Sequence, residues 1–60
     1  LRRSIFSTKK IKKNDKISVK NIDTFRPKIG ICASKYFEIL NRKAKKEILP
    51  GKPIFKSMLV

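Results

Sequence analysis

The sequence predicts a small, mainly β fold with short helical turns, built as two similar units about a pseudo-twofold axis. Three observations predict it. No helix-period pattern of apolar residues survives for more than two turns. A frame of isoleucine, turn residue and isoleucine occurs twice, in Ile11-Lys12-Lys13-Asn14-Asp15-Lys16-Ile17 and in Ile48-Leu49-Pro50-Gly51-Lys52-Pro53-Ile54. Each frame is followed five residues later by another aliphatic, Ile22 or Leu59, and Lys9 and Lys46 match across the same shift. Two copies are too few for a solenoid; they suit two β-turn-β-helical-turn units packed against each other.

The elements follow in order. Thr8 to Lys13 reads as polar positions around one buried residue, Ile11. Asn14-Asp15 is a turn, because both side chains bond their own backbone and tolerate unusual angles. Ser18 is placed to cap a helical turn over Val19 to Ile22, with Asp23-Thr24 as its exit. Phe25-Arg26-Pro27 is extended, since a proline pushes its predecessor out of the α region. Gly30 marks another turn. Ser34 is placed to cap a second short helix, Lys35 to Leu40, whose apolar side is Tyr36, Phe37, Ile39 and Leu40. Lys46 to Ile48 reads as a short strand, Pro50-Gly51 as the strongest turn, Ile54-Phe55 as extended, and Lys56 to Val60 as a last turn.

Sixty residues allow one domain. A chain this short buries only about 60% of its unfolded surface, so nearly all of its 24 apolar residues are expected inside. That argues against an enzyme with a deep pocket of its own. The absence of histidine excludes imidazole acid–base chemistry and Ser-His-Asp triads. The single cysteine, Cys32, excludes a disulfide framework or zinc cluster within the chain and fits a reducing, cytoplasmic setting. Gly30 and Gly51 are too far apart to form a phosphate-cradling loop. The longest apolar stretch at the C-terminus is Met58-Leu59-Val60, far short of a membrane span. Leu1-Arg2-Arg3 is basic, but no apolar core follows it, so it is no signal peptide. With Leu1 rather than Met at its head, the sequence is expected to be part of a longer chain.

Seventeen Lys and Arg against four acids give a net charge of +13. One reading is a basic module that binds nucleic acid or another anion. The other is compositional: thirteen of the cations are Lys and there are nine Ile, a pairing typical of AT-rich coding. Lysine supplies diffuse charge, whereas arginine carries bidentate recognition. The Lys runs at 9–10, 12–13 and 45–46 read most simply as solvated faces, and polyanion binding is expected to be weak and sequence-indifferent. The five aromatic residues, Phe6, Phe25, Tyr36, Phe37 and Phe55, are irregularly spaced and read as core rather than as a base-stacking platform.

In order along the chain, Arg3-Ser4-Ile5-Phe6, Lys10-Ile11-Lys12-Lys13-Asn14-Asp15, Asn21-Ile22, Arg26-Pro27 and Gly30-Ile31 resemble the C-terminal antifreeze-like (SAF) domain of bacterial sialic acid synthases. So do Lys35-Tyr36-Phe37-Glu38-Ile39-Leu40 and the unit from Ala44 to Ile54. The resemblance covers essentially all of residues 1–60. It departs from the family pattern at Asn14 and Asn41, where glycine is usual and asparagine also tolerates left-handed angles, and at Lys28, where glycine usually follows Arg-Pro. The resemblance implies a β-clip (pretzel-like) fold shared with fish type III antifreeze proteins. It implies one SAF domain, the C-terminal part of a bacterial, cytoplasmic transferase of carbohydrate biosynthesis. That N-acetylneuraminate synthase-like parent condenses phosphoenolpyruvate with N-acetylmannosamine or a related amino sugar. A divalent metal, Mn or Mg, is expected in the parent barrel and no cofactor in this chain. The implied partner is the barrel of the other protomer in a domain-swapped homodimer, together with the amino-sugar substrate; specific nucleic acid and membrane are not expected partners.

Arg26 is the candidate site residue. In the family, the arginine of this Arg-Pro loop reaches the sugar in the partner's barrel, and a guanidinium's five fixed donors suit an amide carbonyl. Lys28 is two residues on and is expected near the same mouth. No catalytic residue is assigned. Cys32 lies in an apolar run with no histidine to activate it and reads as a packed side chain. Asp15 and Asp23 read as turn or cap residues, and Ser4, Ser18 and Ser34 as ordinary caps or turns. Ice binding is not expected: the stretch corresponding to the antifreeze ice face carries Lys9, Lys16 and Lys20, and their mobile, hydrated ammonium groups cannot lie flat on a lattice.

Overall fold

The computed structural model describes residues 2–60; Leu1, read above as the start of a basic N-terminus, lies outside them. Two four-residue strands, β1 (Ser4–Ser7) and β2 (Ile22–Phe25), form one antiparallel pair with Ser4 opposite Phe25 and Ser7 opposite Ile22. The remaining order comes from isolated bridges and turns. The only α-helix among the described residues is α1 (Tyr36–Ile39), one turn long. It continues from a 3-10 turn, Ala33–Lys35, and a second 3-10 turn covers Lys56–Met58.

The repeat in the sequence is a symmetry of the backbone. A shift of 37 residues, the spacing of Ile11 and Ile48, relates the two halves. Those two residues exchange reciprocal bonds of 2.8 and 2.7 Å, which places them beside the axis. The Asn14 amide donates to the Ala44 carbonyl and the Gly51 amide to the Ser7 carbonyl, both at 2.8 Å. Ile17 donates to Arg42 at 2.8 Å, and Ile54 to Ile5 at 2.9 Å. The bridge Phe6–Pro53 has Lys43–Lys16 as its counterpart. The turn residues agree as well: Asn14 has φ 74° and Gly51 has φ 77°. Left-handed backbone is open to glycine and, at low cost, to asparagine, and Asn41, at φ 71°, is a third case.

The core has ten members, of which eight are isoleucines; Ala44 and Leu59 complete it. Four-residue strands and isolated bridges leave narrow gaps, which stiff β-branched side chains fill without freezing many rotamers. The expectation that the rings would form the core fails for that reason. Phe25, Phe37 and Phe55 are exposed, and Phe6 and Tyr36 are only half-buried. The rings meet on the rim, in edge-to-face pairs: Phe6 with Phe25 at 6.0 Å and Tyr36 with Phe37 at 5.2 Å. Among the described residues, seven large apolar side chains remain exposed, against the expectation of nearly complete burial.

Several elements differ locally from their expected form. The turn after Ser18 stops at Asn21, and Ile22 opens β2, because 22–25 has a pairing partner in β1. The expected helix from Lys35 divides into a 3-10 turn and α1, with Ser34 inside the former and Cys32 at its head without a side-chain cap. The strand expected at 46–48 reduces to Ile48 facing Ile11. Phe25 is extended in β2, but Arg26-Pro27 forms a bend with a cis peptide bond.

Candidate functional site

Arg26 stands directly after β2, on the segment that connects the two repeat units. It is exposed and borders a shallow groove whose other lining includes Phe6, Thr8, Phe25, Pro27 and Ile29. The sequence puts it there through its neighbours. Phe25 packs edge-on against Phe6 and ends the strand, while the proline ring restricts the backbone after Arg26.

A third constraint comes from beneath. Ser4 is fully buried; its hydroxyl donates to the Pro27 carbonyl at 3.0 Å and accepts from the Ile29 amide at 3.2 Å. One side chain of β1 thus ties down both sides of Lys28, on the loop that carries Arg26. Ser7 plays the matching part for the Pro50-Gly51 turn, donating to Leu49 at 2.6 Å and accepting from Lys52 at 3.0 Å. The turn or cap reading of Ser4 is therefore corrected: it is a buried clamp between distant segments. The sequence shows only a serine beside Ile5, and nothing local distinguishes a buried serine there from a solvent-facing one. Ser18 does act within a turn, accepting from the Lys20 amide at 3.3 Å.

The site is cationic and apolar, without acid–base machinery. The ion pairs among the described residues are Lys10–Glu47 at 2.9 Å and Lys35–Glu38 at 3.6 Å, so Arg26 is left without a carboxylate partner. Asp15 serves its own turn, accepting from the Lys12 amide at 3.1 Å, whereas Asp23 stands in β2 rather than in the expected turn and accepts from the Thr24 amide at 2.7 Å. No group of three or more metal-ligating side chains occurs among the described residues. Nor does any helix among them have the length and apolarity to cross a membrane.

Lys28 stands two residues beyond Arg26, on the loop that Ser4 clamps. It does not line the Arg26 groove; its charge acts on Cys32. It also needs no glycine-like backbone, since the positive-φ residues are Asn14, Asn41 and Gly51. Cys32 is half-buried beside Gly30, Ile31, Lys35 and Phe55. Hydrogen bonding to Ser34, reinforced by the Lys28 and Arg2 charges, lowers its thiol below the ordinary value.

With this geometry in view, similar proteins narrow the identity. The chain is 39% identical over 49 residues to pseudaminic acid synthase of Campylobacter jejuni, a match covering 82% of the chain and 14% of that enzyme. The chain therefore spans about one seventh of this relative. Its fold matches the spore coat polysaccharide biosynthesis protein E of Chromobacterium violaceum with a TM-score of 0.87, over 98% of this chain and 18% of that one, at 20% identity. Salmonella FlgA in its closed form matches with a TM-score of 0.82, over 97% of this chain and 31% of FlgA, at 16% identity. At such identities the structures speak for the fold alone, the β-clip read from the resemblance. The SAF domain model matches residues 2–60, and the chain belongs to the SAF domain family.

Proposed function

We propose that the chain is the small, non-catalytic domain of a synthase of the sialic or pseudaminic acid type, a transferase that condenses phosphoenolpyruvate with an N-acetylated amino sugar. In this reading the domain covers the active site in the partner protomer's barrel, and Arg26 holds the sugar there. The supporting observation is the Arg26 loop itself: a permanently charged, unpaired donor on a segment clamped by Ser4 and bordered by exposed Phe25 and Ile29. A preordered loop avoids the cost of ordering at each binding event. Exposed apolar side chains around one arginine fit docking onto a second protein surface. The relative's activity as a pseudaminic acid synthase supports the substrate class. The divalent metal belongs, on this reading, to the barrel, as the resemblance to the synthases implies.

Subunit mixing tests the reading in the longer synthase. Arg26→Ala is expected to leave dimerisation intact and to lower activity toward the amino sugar roughly tenfold or more, the loss of one charged hydrogen bond. Mixed with a subunit whose barrel is inactivated, it is expected to recover part of the activity, because one site then pairs an intact barrel with an intact small domain. Wild-type kinetics for the variant, or no recovery in confirmed heterodimers, refutes the role.

A further inference from the structure

The pseudo-twofold repeats one backbone platform with two different surfaces. In the copy beside Arg26, the close-packed bridge pair is Phe6–Pro53; in the other it is Lys43–Lys16. Beside the first bridge, and beside Lys46, Glu47 and Lys52, a groove is lined by Leu49, Pro53, Phe55 and Met58. The 37-residue shift replaces them with Lys12, Lys16, Ser18 and Asn21. Thr8, on the rim of the Arg26 groove, becomes Lys45. The shared backbone bonds around each bridge carry Phe6, Pro53 and Leu49 in one copy and Lys43, Lys16 and Lys12 in the other.

The lysine copy is not a random scatter. Ile17 donates to the Arg42 carbonyl at 2.8 Å and Ala44 to the Asp15 carbonyl at 2.9 Å, which makes Lys16 and Lys43 a non-hydrogen-bonded antiparallel pair. Such pairs bring their Cα atoms to about 4.5 Å and their side chains onto one face. Like charges directly opposite are destabilising, and neither lysine has an ion-pair partner among the described residues. The nearest acid in sequence, Asp15, bonds its carboxylate to its own turn. At this face the backbone register sets two exposed lysines directly opposite each other.

We infer that the face built on Lys16, Lys43 and Lys45 is a second docking surface, and that its partner is an acidic protein surface with clustered Asp and Glu side chains. Compact ammonium groups with rotatable donors match scattered carboxylates one by one. Nucleic acid fits less well, because the rings that bases stack on are placed elsewhere: Ser18 stands here where the other copy has Phe55. The assignment is independent of the role given to Arg26.

The test compares two triple variants of the chain, each removing three charges from the net +13. One is Lys16→Gln, Lys43→Gln and Lys45→Gln; the control is Lys28→Gln, Lys52→Gln and Lys56→Gln. The probe is a Glu- and Asp-rich peptide of about twelve residues, titrated at ~50 and ~150 mM salt, where screening differs. The face variant is expected to bind it roughly tenfold more weakly than wild type, and the control to stay within about threefold. The double variant Lys16→Gln, Lys43→Gln is expected to melt at or above the wild-type temperature, because it removes a like-charge pair. Equal losses in the two triple variants, or no peptide binding at ~50 mM salt, overturn the inference. So does a lower melting temperature, which would make the pair part of the fold. Tighter, face-dependent binding of a single-stranded oligonucleotide or of phosphatidylserine vesicles overturns it in favour of those partners.

Discussion

Ser4→Ala removes one oxygen atom and two hydrogen bonds. The lost partners are the Pro27 carbonyl at 3.0 Å and the Ile29 amide at 3.2 Å. Ser4 is 0% exposed, so no water replaces its hydroxyl from inside. Ile29 is 53% exposed, and solvent can satisfy part of what is lost from the other side. A buried group left unpaired costs about 1–3 kcal/mol; with that partial rescue the expected loss is about 2 kcal/mol. Sixty residues at roughly 0.05–0.15 kcal/mol each hold about 3–9 kcal/mol in total, so the substitution removes a sizeable share. At about 4–8 °C per kcal/mol for a small domain, the thermal midpoint should fall by about 8–16 °C. Far-UV circular dichroism melts measure that fall, and amide exchange at Ile29 locates it. Ser7→Ala is the internal control: Ser7 is equally deep, but its hydroxyl serves the Leu49–Lys52 turn, so Ile29 exchange should be unaffected by its loss. A Ser4→Ala midpoint within about 2 °C of wild type, with Ile29 exchange unchanged, would refute the clamp, because a shift that small is worth less than ~0.5 kcal/mol.

The two glycines and the cysteine give further tests. Gly30→Ala should destabilise by at least about 2 kcal/mol in urea unfolding, because the new methyl group collides with the Ile54 carbonyl, which accepts the Ile31 amide. Gly51 has open space around it but φ 77°. Gly51→Ala should cost about 1–2 kcal/mol and Gly51→Asn clearly less, since Asn14 already occupies the equivalent turn; equal costs in the same unfolding assay would undo that equivalence. At Cys32 the depressed thiol means more thiolate at a given pH, so iodoacetamide should react with a pH midpoint below that of a free thiol. Ser34→Ala should move the midpoint up, because Ser34 is the main cause of the depression. By linkage, the lowered thiol favours the fold above the ordinary thiol range, and that contribution fades as pH falls through the depressed value.

The sequence disclosed the symmetry because symmetry here is carried by residues with few substitutes. Isoleucines at the ends of each frame mark the core, and Asn14 and Gly51 mark left-handed turns that most residues avoid. The antifreeze-like resemblance was legible for the same reason. Strand β1 and the Ser4 clamp stayed hidden, since both depend on partners distant along the chain: β1 pairs with residues 22–25, and Ser4 bonds Pro27 and Ile29. The rings misled because hydrophobicity alone does not say which apolar residues a ten-member core has room for. The two halves also show where information about function sits. Their backbones share the bonds around the axis, so the fold constrains Ile11, Ile17, Ile48 and Ile54 in equivalent ways. Their surfaces differ, Phe6–Pro53 against Lys43–Lys16, although neither pair is needed by the core. A difference the fold does not require, on a platform the fold repeats, is what separate partners for the two faces would produce, and it becomes visible only once the register places these residues opposite one another.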